Sequence, residues 1–161
     1  CCGHLSAFTI HEEQYESNPD TDAFWGIPSR NMNYRLKDVV DVGDNFLYEY
    51  DFGSTTELVL SIHSCRDGEK KNNEIVILSR NNPPKILCSH CEQNEAKWVN
   101  PEGYYEGEPF WCDECLEAEN DEEGEDYELE FLLPVSNSPR MGVCGYEGSD
   151  SYPDQFEPDE Q

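Results

Sequence analysis

Two Cys-x-x-Cys pairs, Cys88-Ser89-His90-Cys91 and Cys112-Asp113-Glu114-Cys115, stand twenty residues apart. Four thiolates at that spacing close a tetrahedral site, and zinc is the ion that prefers soft sulfur and asks for nothing beyond a tetrahedron. A zinc ion held by four cysteines keeps no position open for substrate, so its expected role is structural. Two other readings compete for the same residues. Disulfides are one, but eight cysteines in 161 residues fall below the density of a disulfide scaffold, and the paired spacing suits a metal better than two cross-links. His90, inside the first knuckle, is the other, as a ligand in place of one cysteine.

A second group of residues could do acid–base chemistry. Asp51 follows a run of aromatics and precedes Phe52-Gly53; facing His4 or His63 in a pocket, it would form an acid/base pair. The structural alternative has the Asp51 carboxylate accepting backbone N–H bonds of a turn and His4 hydrogen-bonded in a core. Cys144 would be a reactive thiol only beside a positive charge, for which Arg140 is the candidate; the plainer reading is a small buried cysteine. Cys1 and Cys2 are adjacent and cannot both enter one tetrahedral site, and Cys65 falls in a loop. Neither the phosphate-loop pattern nor the dinucleotide-binding pattern occurs.

The elements that must position these residues are legible from periodicity. Leu5 to Ile10 predicts a strand continuing toward Tyr15, broken at Asn18-Pro19-Asp20. Residues 20 to 33 read as a loop pinned by Phe24 and Trp25. Leu36, Val39 and Val40 are spaced for a helical turn or two before Gly43. Phe46, Tyr48, Tyr50 and Phe52 share one face of a strand, Gly53-Ser54 turns the chain, and Leu58, Leu60 and Ile62 return in register as a hairpin. A polar loop, Ser64 to Asn73, leads to Glu74-Ile75-Val76-Ile77-Leu78-Ser79, apolar enough to be a strand buried on both faces. Pro83-Pro84 ends that part. Ala96 to Val99 and Tyr104-Tyr105 should pair as a small hairpin between the knuckles. Tyr127 to Leu133 and Gly142 to Tyr146 should return to cover the sheet.

Charge bounds the partners. The net charge is −26, and it is lopsided: residues 1 to 87 hold 14 acidic and 8 basic side chains, residues 88 to 161 hold 22 and 2. Nucleic acid is bound through Lys and Arg that release its counterions, and this chain lacks them where the ribbon would touch it. An anionic membrane surface is disfavoured for the same reason, and no run approaches the roughly 18 apolar residues of a transmembrane helix. Asp113 to Glu130 carries eleven acidic residues and no basic one. Such a run should not fold on its own account and reads as a solvated connector or as a docking surface for a basic protein. Mean hydropathy of −0.81 implies that the apolar material is concentrated in segments. Reduced Cys-x-x-Cys pairs fit a cytoplasmic location.

Two blocks, taken in order, resemble a known family. Gly3-His4-Leu5-Ser6-Ala7-Phe8 and Phe46-Leu47-Tyr48-Glu49-Tyr50-Asp51-Phe52-Gly53 look like the plasmid pRiA Orf-three-like family over roughly residues 1 to 80. The resemblance implies a compact α+β domain, in some members continued by a Cys-x-x-Cys zinc ribbon and a closing block, here Pro134 to Tyr146. It also implies an association with mobile-element-type genes. The chain departs from the pattern at Ser6, where a second histidine is usual, and at Ser54, where an aspartate is usual. The family's leading strand and helix are missing before Cys1, so the chain is expected to be a fragment.

The expected architecture is α+β: a small, mostly antiparallel sheet with few helices over residues 1 to 85, and a four-cysteine zinc ribbon over 86 to 118 that docks on it. An acidic connector and closing segment, 119 to 146, would pack on the domain, and an acidic tail, 147 to 161, would follow. The expected function is a non-enzymatic interaction or regulatory protein with structural zinc and a basic protein partner. The alternatives are an enzyme with a pocket near His4, Asp51 and His63, and an acidic mimic of nucleic acid. A halophilic source would also account for the acidity.

Overall fold

Alternation of apolar and polar residues builds the first part of the protein, and a cluster of cysteines the second. A computed structural model gives the fold and describes residues 3–19, 28–68, 76–123 and 131–149. Two compact units divide the chain, Cys1–Glu74 and Ile75–Gln161.

In the first unit, β1 (Ser6–Ile10), β2 (Glu13–Glu16), β3 (Arg30–Asn31), β4 (Asn45–Tyr50) and β5 (Thr56–Ser61) form one sheet in the order β3-β2-β1-β4-β5. Every pairing is antiparallel except the short β2–β3 contact. The alternation read from the sequence places Phe46 opposite Leu60 and Tyr48 opposite Leu58, as the hairpin expectation required. Ile10, Tyr15 and Phe46 are buried at the centre of the core, with Phe8, Met32, Val39, Val40, Leu60 and Ile62 packed around them. Val39 and Val40 reach that core from a single 3-10 turn, Leu36–Asp38, which answers the helical spacing before Gly43.

The first strand does not continue toward Tyr15. Ile10 pairs with Glu13, so the chain reverses over His11 and Glu12 alone, with φ of 50° and 68°. Two positive φ values in a two-residue loop define a type I′ turn, whose backbone twist matches that of the strands it joins. The usual Asn-Gly signature is absent here, which is why the reversal is invisible in the sequence. His11 Nε2 lies 2.9 Å from Asp44 Oδ2, a contact that ties the turn to the start of β4. A side chain in the left-handed region costs about 1–2 kcal/mol. Replacing Glu12 with glycine should therefore stabilise the first unit by roughly 1 kcal/mol after the added freedom of the unfolded chain is subtracted. A urea midpoint that moves down instead would contradict strain at this turn.

The apolar run at 74–79 does not form the expected strand. Val76 to Ser79 have no strand partner, and Val76 and Leu78 are 71% and 92% exposed; Glu74 and Ile75 lie outside the described residues. β-propensity reflects packing against neighbouring strands, and without a bonded neighbour it does not fix a conformation. The Phe24–Trp25 loop, Tyr127, Leu129, Cys1, Cys2 and residues 150–161 of the tail also lie outside the described residues.

In the second unit, β6 (Trp98–Val99), β7 (Phe110–Trp111) and β8 (Leu133–Pro134) form an antiparallel sheet in the order β7-β6-β8. The hairpin between the knuckles exists, but its second strand is Phe110–Trp111, not Tyr104-Tyr105. Those tyrosines fall in the connecting loop, where Glu102–Tyr104 form a 3-10 turn after Pro101. Gly103 is buried beneath it, and a Cβ there would stand 3.0 Å from the Glu108 carbonyl oxygen. The acidic run also departs from expectation: Asp113–Glu123 is an α-helix, α1. Its Glu, Ala and Leu residues are good helix formers, Asp113 and Glu114 sit at the favourable end of the helix dipole, and Leu116 is buried. The closing segment meets the metal module at Gly142, where φ is +72° and a Cβ would come 3.3 Å from the Tyr104 ring and 3.4 Å from Val99 Cγ2. The fold is thus a small α+β fold with a four-cysteine cluster in its second unit.

Candidate metal centre

The first knuckle is shaped by backbone bonds. The Cys88 amide donates to the Asn94 carbonyl at 2.9 Å, Glu92 N–H donates to the Cys88 carbonyl at 3.0 Å, and Ala96 N–H returns to Ile86 at 2.9 Å. Glu92 takes a φ of 56° just after Cys91, closing the loop around the sulfurs. The second knuckle is built differently: Cys112 ends the β7 hairpin and Cys115 lies in the first turn of α1, where Leu116 N–H donates to the Cys112 carbonyl at 3.1 Å.

The four Sγ atoms lie within 4.8 Å of one another, and Cys91 Sγ is 3.9 Å from Cys112 Sγ. Thiolates about 2.3 Å from a central ion at tetrahedral angles stand about 3.8 Å apart, so the cluster fits one metal ion. A disulfide needs sulfurs about 2 Å apart, and all four cysteines are free. His90 is not part of the cluster. Its ring stacks on Trp111 with centroids 3.5 Å apart, and its Nδ1 faces Glu108 at 3.8 Å.

Side chains that spacing alone did not single out hold the centre together. Trp98 Nε1 donates to Asp113 Oδ1 at 2.9 Å, and Asn94 Nδ2 donates to Glu114 Oε2 at 2.9 Å while lying 3.8 Å from Cys112 Sγ. The two acidic residues inside the second knuckle thus tie β6 and the first knuckle to the start of α1. Their position between two metal-ligand cysteines was the one available signal.

The thiols are not equivalent. Burial pushes Cys88 up, but the N–H groups of Cys91, Cys112 and His90 outweigh it and leave the thiol below its usual value. The Asn94 and Gln93 N–H groups bring Cys91 down to about 7. Burial, followed by the neighbouring sulfurs, raises Cys115 to about 12. Metal binding requires thiolates, so the Cys115 proton must leave whenever an ion enters at neutral pH, and below pH 7 the Cys91 proton must leave as well. Affinity should therefore fall at least about tenfold per pH unit on acidification, more steeply below pH 7. Competition against a chromophoric chelator across pH 6 to 8 checks this; a flat profile would contradict it.

Of the acid–base trio, the structure joins two members and separates the third. His4 Nδ1 stands 3.6 Å from Asp51 Oδ1, and the His4 amide donates to the Tyr50 hydroxyl at 3.3 Å. Asp51 is buried with a φ of 63°, its amide donates to the Leu5 carbonyl at 2.9 Å, and the Ser54 amide reaches its carboxylate at 3.4 Å. His63 does not join them. It follows the end of β5 that pairs with Asn45, whereas Asp51 follows Tyr50 at the opposite end of β4. Six residues of strand separate the two, about 20 Å. Cys144 is exposed in a turn with a φ of 51°, not buried as expected; Arg140 is the member of that segment that is buried.

Fold and centre together define a small α+β protein with a four-cysteine cluster that could hold a metal ion. Comparison with protein-family models, with curated proteins and with solved structures gives no match. No helix among the described residues is long and apolar enough to cross a membrane.

Proposed function

We propose that the protein is a non-enzymatic interaction or regulatory protein of the plasmid pRiA Orf-three-like kind, associated with mobile-element-type genes. Its second unit, held by structural zinc, docks a basic protein partner. The observation that carries this reading is the closed set of four mutually adjacent thiols, which supplies every ligand a tetrahedral ion needs and leaves none for substrate. Zinc is favoured over other ions by the all-sulfur tetrahedron. The partner is inferred from charge: α1 begins Asp113-Glu114 and has no basic residue, and the loop above β6 and β7 adds Glu102, Glu106 and Glu108. This reading puts the protein in the cytoplasm, a location supported by four free thiols that a reducing compartment would preserve.

The test is binding of a lysine-rich probe peptide by the zinc-loaded and the chelated full chain at several salt concentrations. The reading expects binding to the loaded form that weakens with salt. Equal binding after chelation would reduce it to unspecific charge. A second reading, an enzyme using His4 and Asp51, rests on their 3.6 Å approach; it requires a substrate whose turnover is lost in Asp51→Asn.

A further inference from the structure

The first unit has a cavity that neither the thiols nor the acidic surface explains. Its volume is about 100 Å³, and its walls include Phe8, Met32, Leu36 and Val39 with the rings of Tyr15 and Tyr34. A cavity of about 150 Å³ holds benzene, so this one suits an apolar group of about four or five carbons. A wider cavity of about 340 Å³ shares Tyr15, Tyr34 and Val39 with it and is lined in addition by charged residues. One 3-10 turn serves both: Leu36 faces the apolar chamber, Lys37 and Asp38 the polar one.

The charges of the outer chamber sort into satisfied and available groups. Arg30 Nη2 donates to Glu13 Oε1 at 2.7 Å, the Tyr15 hydroxyl donates to Glu13 Oε2 at 3.1 Å, and the guanidinium lies 6.0 Å from the centre of the Tyr15 ring. Tyr34 meets Tyr15 edge to face at 5.3 Å. These contacts fix the shared wall before any ligand arrives, which lowers the ordering cost of binding. His11 is occupied by Asp44. Among the described residues, Lys37, Asp38 and Asp41 have no ion-pair partner. They leave one positive and two negative groups in a cavity that shares part of its wall with the apolar one.

We propose that the paired cavities bind a small zwitterion with an apolar side group, that is, a free apolar α-amino acid. The side group fills the inner chamber, the ammonium faces Asp38 and Asp41, and the carboxylate faces Lys37. A peptide N-terminus shares the ammonium and the side group but lacks the free carboxylate; Lys37 selects between the two. The site owes nothing to the metal module and stands or falls apart from the function proposed above.

The test is an NMR titration of the metal-loaded full chain with L-leucine, L-alanine and L-leucinamide, following the amides of residues 36 to 41 and the Met32 methyl group. Leucine should shift these signals saturably, with alanine at least about tenfold weaker because the inner chamber stays unfilled. The Lys37→Gln and Asp38→Asn variants, both at exposed positions and so expected to fold, should each weaken leucine at least about fivefold. No saturable shift at about 10 mM leucine would overturn the site, and so would equal responses to leucine and alanine. Leucinamide binding as tightly as leucine, with no effect of Lys37→Gln, would overturn the free amino acid and reassign the pocket to peptide N-termini.

Discussion

Cys88→Ser should abolish metal binding and, with it, the fold of the second unit. Among the described residues the strands of that unit are two residues each, far short of what an independent sheet requires. Cys88 and Val99 are its largest fully buried side chains, so a ligand lies where another module would place a core residue. For zinc, the apparent binding free energy of such sites is about 10–16 kcal/mol, as large as the whole stability of a typical domain, about 5–15 kcal/mol. Mass spectrometry should find one ion per chain in the parent and none in the variant, and the near-UV signal of Trp98 and Trp111, paired across β6 and β7, should collapse. A variant that keeps that signal without metal would show that the chain folds around the cysteines unaided.

Phe46→Ala is expected to have the largest effect in the first unit, costing about 3–5 kcal/mol. Phe46 is one of three buried residues at the centre of that core, it pairs across the sheet with Leu60, and it packs at 6.2 Å against the Phe8 ring. A core this small has little stability to lose. The variant should unfold in urea well below the parent, or be unfolded outright, while still holding one metal ion. Loss of the ion together with the sheet would show that the two units fold as one.

Sequence reading succeeded where a single physical rule acted alone. Alternation placed the β4–β5 hairpin because Phe46 and Leu60 pair across it and share the core, and sulfur spacing placed the metal centre because no other residue type can supply four soft ligands so economically. It failed where two rules competed. His11 and Glu12 turn the chain without the glycine that normally marks such a turn, because flanking pairs and the Asp44 contact hold them. Val76 to Ser79 have the composition of a strand but no strand to join. The acidic run past Cys112 becomes helical because the second knuckle starts the first turn, offsetting the nucleation cost that an isolated segment of that length cannot meet. His63 was grouped with His4 and Asp51 because sequence carries no information on which end of a hairpin a residue occupies until the register is known.

The outer strand of the first sheet has a colloidal consequence. Among the described residues β5 has a neighbour on one side only, and along that rim Leu58 and Val59 are 38% and 77% exposed with Glu57 as the strand's one charge. An edge strand with exposed apolar side chains can act as a template for another copy. The 26 net negative charges would oppose such pairing by long-range repulsion. Light scattering should therefore find particles that stay dispersed at neutral pH and low salt, and that coalesce as the solution is brought toward the isoelectric point near 4.1. Val59→Lys, by placing a charge on the rim, should postpone that coalescence.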